Sequence, residues 1–215
     1  MAAIKCESLT KTFKNTTVLH DINLEVEENT HFGLLGPDGS GKTTLLRLLT
    51  GLCKPTSGSC SLFNEDARNP ETALQQTGCL VGEPAFYEDF TVEELLHLFA
   101  NLTKSEIDIE STGITFKNEK GKNLTPAMKK HLGIAIALLG DPRLLLLDEP
   151  LTGLDGRTRT KMKTVLKSKE TLFFTTNNPR DIEELATEAA IIQKGEITHQ
   201  GAVSKLPLHD LEVEP

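Results

Sequence analysis

Residues 36–43 read Gly36-Pro37-Asp38-Gly39-Ser40-Gly41-Lys42-Thr43, and the spacing G-x-x-x-x-G-K-[ST] decides what can fold around them. Glycines let successive backbone N–H groups turn inward around phosphate oxygens. A helix starting at the end of such a loop adds the partial positive charge of its N-terminus. The flanks supply that setting. Phe32-Gly33-Leu34-Leu35 is an apolar run of buried-strand type, and Leu45, Leu48, Leu49 and Leu52 recur at i, i+3, i+4 and i+7, which predicts a helix. Lys54-Pro55-Thr56-Ser57-Gly58 predicts its stop. Within the loop, Lys42 is placed to reach the β- and γ-phosphates of a nucleotide, and the Thr43 hydroxyl to sit on Mg²⁺.

Outward from the loop, short β-type runs alternate with helical patterns. Ile4 to Leu9 and Val18 to Val26 read as strands. Thr91-Val92-Glu93-Glu94 reads as a capping box opening a helix through Leu95, Leu98 and Phe99. Leu132, Ala135, Ile136 and Leu139 make a second helical stripe. The run Leu144-Leu145-Leu146-Leu147 is too short for a good helix and fits a strand buried on both faces. Strands are also expected at Leu172 to Thr175 and at Ala190 to Ile192, the latter pairing with Glu196 to Gln200 across Lys194-Gly195 as a hairpin. Lys104 to Asn123 is polar and predicts no element, and Leu208 to Pro215 reads as a short acidic tail. This alternation predicts an α/β domain around a mostly parallel core sheet. No repeat or composition break divides the chain, so a single domain over 1–215 is expected.

A second constellation ends the leucine run, at Asp148-Glu149-Pro150. A carboxylate at the end of a buried strand is well placed for a metal shell, and its neighbour can face the water that attacks a γ-phosphate. Alone, the pair also reads as an acidic cap after a strand; beside the phosphate loop, the chemical reading is the stronger.

Composition bounds the rest. The 215 residues are 38% hydrophobic and 25% charged, with 23 Lys+Arg against 31 Asp+Glu and a net charge of -8, which argues against a broad basic surface for nucleic acid. No apolar run approaches the ~20 residues that span a bilayer, and the N-terminus lacks a secretory pattern. A membrane role must therefore come through a partner. Cys6, Cys53, Cys60 and Cys79 lack metal-site spacing and read as small hydrophobes in a reducing compartment.

The phosphate loop, Gly51 to Gly58, Leu144 to Pro150 and Thr152-Gly153-Leu154-Asp155 together resemble the ATP-binding subunit of an ABC transporter over nearly the whole chain. The resemblance implies a P-loop NTPase of ABC type, with an antiparallel β subdomain and a short helical insert at roughly 84–126. It implies MgATP held by Gly36, Pro37, Asp38, Gly39, Ser40, Gly41, Lys42, Thr43 and Thr44, with Thr43 and Asp148 on the metal and Glu149 and Lys42 catalytic. Phe13 matches the aromatic that stacks on adenine in this family and joins the implied nucleotide-binding set, with core filler as a competing reading. Asp155 matches the aspartate that reads the dimer partner, and Ile191 to Ile197 the closing hairpin.

The pattern also departs from the family. Where its members carry Leu-Ser-Gly-Gly-Gln, this chain has Leu124-Thr125-Pro126-Ala127-Met128; Thr125 keeps a hydroxyl, Pro126 has no N–H, and Ala127 adds a Cβ. Asn177 stands at the switch-histidine position and belongs to the implied nucleotide-binding set; it donates a hydrogen bond but does not titrate near neutral pH. Gly82 stands for the family's linking glutamine, beside Glu83. These losses weigh against rapid hydrolysis more than against binding. The resemblance implies a cytoplasmic chain, peripheral at the inner face of the membrane. Its implied partners are transmembrane permease subunits and a second ATP-binding subunit, in a homo- or heterodimer, with ATP coupled to transport. The run Glu83-Pro84-Ala85-Phe86-Tyr87 is similar to antibiotic-export and immunity-type members, which implies export. Two readings stay open beside this one. The first is a nucleotide-gated, weakly hydrolysing interaction subunit that relies on a different partner chain. The second is a soluble ABC-type ATPase acting on nucleic acid or ribosomes; the acidic balance disfavours it, and no nucleic-acid partner is expected.

Overall fold

Two sheets share one core, and each is assembled from segments far apart in the chain. The computed structural model describes residues 1–208; of the expected acidic tail, residues 209–215 lie outside the described residues. The first sheet is antiparallel, in the order β2 (Thr16–Glu27), β1 (Ala2–Phe13), β4 (Ser57–Leu62), β5 (Glu65–Asp66). Its inward positions carry Ile4, Leu9, Leu19, Ile22, Leu24 and Val26, which are buried, while alternate residues face water.

The second sheet has six strands in the order β10 (Glu196–Ala202), β9 (Glu188–Gln193), β3 (His31–Leu35), β8 (Thr171–Thr176), β7 (Leu144–Leu147), β6 (Thr77–Leu80). All neighbours pair in parallel except β9 and β10. Helix α1 (Lys42–Leu49) follows β3, and α2 (Pro70–Ala73) is a single turn before β6. The chain then adds α3 (Val92–Leu102), α4 (Pro126–Ala137), α5 (Gly156–Lys167) and α6 (Pro179–Leu185). Burial on both faces explains the four leucines of β7. Leu144 and Leu146 join α1 and the antiparallel sheet in one cluster, while Leu145 and Leu147 join α5 and α6 in another. Phe32 and Phe173 stack across β3 and β8 with centroids 5.7 Å apart.

Capping chemistry places the helices. Thr91 and Glu94 complete the expected capping box of α3. Thr125 caps α4 from its side chain with Pro126 as the first helical residue, and Asp155 caps α5 by accepting from the Arg157 and Thr158 N–H groups. Helices α3 and α4 share a small cluster of their own, including Leu95, Leu96, Leu124, Leu132 and Ala135. Between them, residues 104–123 hold two 3-10 turns, Glu110–Thr112 and Gly121–Asn123, within the stretch where no element was expected. The hairpin turns at Lys194 and Gly195, both with positive φ of 48° and 81°.

Three expectations change. The helix after the phosphate loop ends at Leu49, because Gly51 takes φ +69° behind the Thr50 cap, and Leu52 is left exposed outside it. Gly58, read as part of a stop, lies inside β4, where a Cβ would stand 2.2 Å from the Ser8 carbonyl oxygen of the neighbouring strand. The stripe ending at Leu139 stops at Ala137 with Leu138 as its cap.

Candidate nucleotide-binding site

Strands β3, β7 and β8 are parallel neighbours, so their C-terminal ends open on one edge of the sheet, the edge at which open α/β sheets bind ligands. Gly36, Asp148 and Asn177 each stand one residue beyond a strand end there. The Gly36 N–H donates to the Thr176 carbonyl at 3.1 Å, which ties the phosphate loop to the end of β8.

The loop is shaped by what its glycines lack. A Cβ on Gly36 would lie 2.4 Å from the Ile192 carbonyl oxygen, and one on Gly41, at φ 109°, would lie 2.6 Å from Leu19. Pro37, Asp38 and Gly39 are exposed, whereas Ser40 is buried. Helix α1 has no side-chain cap and no acidic residue in its first turn. Its first internal bond runs from Leu45 N–H to the Gly41 carbonyl, leaving the Lys42, Thr43 and Thr44 amides without an intrahelical acceptor. Among the described residues, Ser40 Oγ is a buried polar side-chain atom with no hydrogen-bond partner, a state that normally costs stability. An open glycine cradle with an orphaned buried hydroxyl and bare helix-end amides fits a polyphosphate.

Lys42 is 5% exposed and donates to the Gly36 and Pro37 carbonyls at 2.8 and 3.0 Å, folding back over its own loop. Its ammonium also lies 3.7 Å from Glu149 Oε1. Thr43 Oγ1 donates to Asp148 Oδ2 at 2.8 Å, and Gly82 N–H donates to the same oxygen at 3.1 Å. Asp148 Oδ1 accepts from Thr175 Oγ1 at 2.6 Å, and Thr175 Oγ1 in turn accepts the Glu149 N–H at 3.1 Å. Glu149 sits at φ 46°, a region that costs a non-glycine residue about 1–3 kcal/mol and persists where the surroundings over-determine it.

Of the outlying residues of the expected set, Asn177 is the one joined to the loop by a hydrogen bond. Asn177 Nδ2 donates to Asp38 Oδ1 at 3.3 Å, so these two side chains meet over the loop. Phe13 ends β1 and is 44% exposed, with Lys11 Nζ 4.6 Å from its ring centroid; it is not core filler. Asp155 is engaged locally as the α5 cap, and the Thr158 hydroxyl and backbone hold its carboxyl below the usual carboxylate range. At the start of α4, Thr125 Oγ1 accepts the Met128 N–H at 3.2 Å.

Sequence reasoning missed three contributors. Thr175 is the hub between the two carboxylate residues, hidden because it looked like an ordinary strand threonine. Gly195 N–H donates to the Ser40 carbonyl at 3.1 Å while the His20 N–H donates to the Gly195 carbonyl at 2.8 Å, so the β9–β10 hairpin buttresses the loop. Lys130 on α4 reaches the turn after β7. A lysine next to the buried run that starts at His131 was the available signal, though Lys129 beside it made the pair read as a solvated face.

Comparison with protein-family models matches residues 19–152 to the family described as ABC transporter. An uncharacterized ABC transporter ATP-binding protein of Bacillus subtilis, YdbJ, is 37% identical, with the alignment covering 97% of this chain and 73% of the relative. The bacitracin transport ATP-binding protein BcrA of Bacillus licheniformis is 36% identical over 92% of this chain and 69% of the relative, and the Nod factor export ATP-binding protein I of Cupriavidus pinatubonensis is 34% identical over 93% and 66%. A solved dimer of a bacterial ABC transporter cassette superposes with a TM-score of 0.83 at 22% identity, covering 93% of this chain and 98% of that one. A post-hydrolysis dimer of an ATP-binding cassette, bound to ADP and phosphate, gives a TM-score of 0.82 at the same identity, with the same coverage. With the phosphate loop, the carboxylate pair and the cassette fold in place, the chain belongs to the ABC transporter family as an ATP-binding subunit of the ABC ATPase type.

Proposed function

We propose that the chain binds MgATP in the loop of residues 36–44 and, as one half of a dimer on the inner face of permease subunits, couples ATP binding and hydrolysis to export. The observation that carries this reading is the joining of the phosphate loop to the carboxylate pair, through Thr43 to Asp148 and Lys42 to Glu149. Lys42 exchanges its two loop carbonyls for β- and γ-phosphate oxygens, and the amides of the α1 N-terminus donate to the same group. Thr43 and Asp148 present hard oxygen donors of the kind Mg²⁺ takes. Bound there, Mg²⁺ would neutralise charge on the β- and γ-oxygens. Glu149 accepts the proton of the attacking water, and its backbone hydrogen bond to Thr175 fixes where its carboxylate stands. The exposed Phe13 ring offers a stacking face for adenine, and Asn177 stands at the loop rim, placed to donate to the nucleotide. Export is supported by the relative named for Nod factor export. Among the described residues no helix is long and apolar enough to cross a membrane.

A second reading rests on one observation. The N-terminus of α4 has few donors to offer a partner's nucleotide, because Pro126 has no N–H and the Met128 N–H is taken by Thr125. That favours a nucleotide-gated subunit whose dimer mate is a different chain. Sedimentation of the Glu149→Gln chain with and without MgATP tests both readings. A doubling of mass with MgATP is expected for the first. A monomer that binds MgATP supports the second, and a chain that does not bind MgATP contradicts both.

A further inference from the structure

Lys130 lies one turn into α4, yet its ammonium leaves that helix for the turn after β7. It donates to the Glu149 carbonyl oxygen at 2.9 Å and to the Thr152 carbonyl oxygen at 3.0 Å. One cation thus closes across both ends of a four-residue turn, with charge-assisted bonds stronger than those between neutral amides. The Thr152 N–H donates back to the Glu149 carbonyl at 3.2 Å, so that carbonyl is where the turn and the ammonium meet.

The strained residue is held from both sides. At φ 46°, Glu149 has its N–H fixed by Thr175 Oγ1 and its carbonyl fixed by Lys130. The ammonium is half-buried: burial pulls its pKa down, while the Glu149, Asp148 and Glu83 carboxylates pull it up. It lines a cavity of about 450 Å³ together with Gly82, Asp148, Glu149 and Thr152. A lysine serving only solubility would keep its ammonium in water, because ordering a long side chain against two carbonyls costs rotamer entropy.

We propose that Lys130 is a positioning residue for Glu149, a brace from α4 that holds the turn 149–152 in the geometry that aims the carboxylate. This rests on the reading of Glu149 as the base. It also makes the turn move with the helix that starts at Pro126, so a displacement of α4 is felt at the carboxylate.

The test uses the whole chain with Lys130→Met, which keeps the length and loses the donors, and Lys130→Arg, which keeps two donors; Lys130→Gln replaces the methionine variant if that does not fold. Hydrogen exchange of the Thr152 amide in the nucleotide-free chain is expected to accelerate roughly fivefold in Lys130→Met and to stay near the parent rate in Lys130→Arg. Unchanged exchange in Lys130→Met overturns the proposal without any turnover measurement. In MgATP turnover, kcat is expected to fall on the order of 10²-fold with KM nearly constant, with arginine restoring most of the rate. Adding Lys130→Met to Glu149→Gln is expected to cause no further loss. An undiminished kcat in Lys130→Met, while Glu149→Gln is inactive, overturns the brace. If Glu149→Gln retains full turnover, the base assignment falls, and the exchange measurement still decides whether Lys130 holds the turn.

Discussion

Thr43 and Asp148, which are 105 residues apart in the chain, share a hydrogen bond of 2.8 Å from Thr43 Oγ1 to Asp148 Oδ2. The bond locks the first turn of α1 to the end of β7. Asp148 is oriented from its other oxygen by Thr175, at 2.6 Å. On the proposed reading of Asp148 as a Mg²⁺ ligand, Thr175 is an outer partner of the kind that sets ligand geometry, and loss of such a partner costs about 10–100-fold in metal affinity. Thr175→Val, nearly the same shape without the hydroxyl, is expected to raise the Mg²⁺ concentration that supports ATP binding by that factor. Calorimetric titration of Mg²⁺ at fixed ATP measures it; an unchanged midpoint would show that Thr175 does not orient a ligand.

The glycines of the loop are not equivalent. A Cβ at Gly36 meets backbone at 2.4 Å and Ser40 Oγ at 2.7 Å, whereas at Gly39 it meets nothing within 4 Å. Gly36→Ala is expected to lose ATP binding and about 1–3 kcal/mol of stability. Gly39→Ala carries only the cost of a left-handed residue, about 1–2 kcal/mol, with no atom in its way. Urea unfolding and nucleotide titration of both variants separate collision from backbone strain; equal loss of binding in the two would contradict this.

Arg159 on α5 donates to the buried Asp181 of α6 and to the Leu151 carbonyl at 3.0 Å, and Thr176 Oγ1 donates to the same carboxylate at 3.1 Å. This network ties the turn after β7 to the residue before Asn177. Arg159→Met leaves a buried carboxylate without its cation and is expected to cost about 3 kcal/mol at neutral pH. Burial already raises the Asp181 pKa, against the pull of Arg159. Removing the arginine raises it further, so the deficit is expected to shrink as pH falls and Asp181 takes up its proton. Urea midpoints of both proteins at pH 7 and pH 5 test the sign.

His131 gives the opposite slope. It is buried on α4 with Nε2 2.9 Å from the Thr112 carbonyl and its ring against Phe116. Burial lowers its pKa, with Lys161 acting in the same direction and the Thr112 carbonyl and Asp155 opposing. Its folded pKa lies below its unfolded value of ~6.5, so the unfolded chain binds more protons between the two. Stability is therefore expected to fall as pH drops below about 6.5, and His131→Gln is expected to flatten that limb. A Tm profile whose acid limb is the same in the variant would remove His131 as its cause.

The fold was legible where chemistry or periodicity is concentrated. The loop at 36–43 and the leucine run of β7 stand out because a glycine cradle and a strand buried on both faces each demand rare patterns. The capping box at Thr91 and the Lys194-Gly195 hairpin were legible for the same reason, as local backbone needs with few residue solutions. Strands β4 and β6 were not, since Ser57–Leu62 and Thr77–Leu80 are small and polar and owe their extended form to the strands beside them. Within the site, the side chains that the structure brings together, Lys42, Thr43, Asp148 and Glu149, were readable from the two motifs. Thr175, Gly195 and Lys130 act through backbone atoms or through a second side chain, and no spacing in the sequence encodes that partnership.

The central claim, that Glu149 is the base of an ATP-hydrolysing site, is tested most directly by steady-state MgATP turnover of the purified chain beside Glu149→Gln at a concentration that permits dimerisation. The expected result is measurable turnover that falls on the order of 10²–10⁴-fold in the variant, with MgATP still bound. Turnover that survives the substitution, with binding intact, would contradict the assignment and place the base elsewhere.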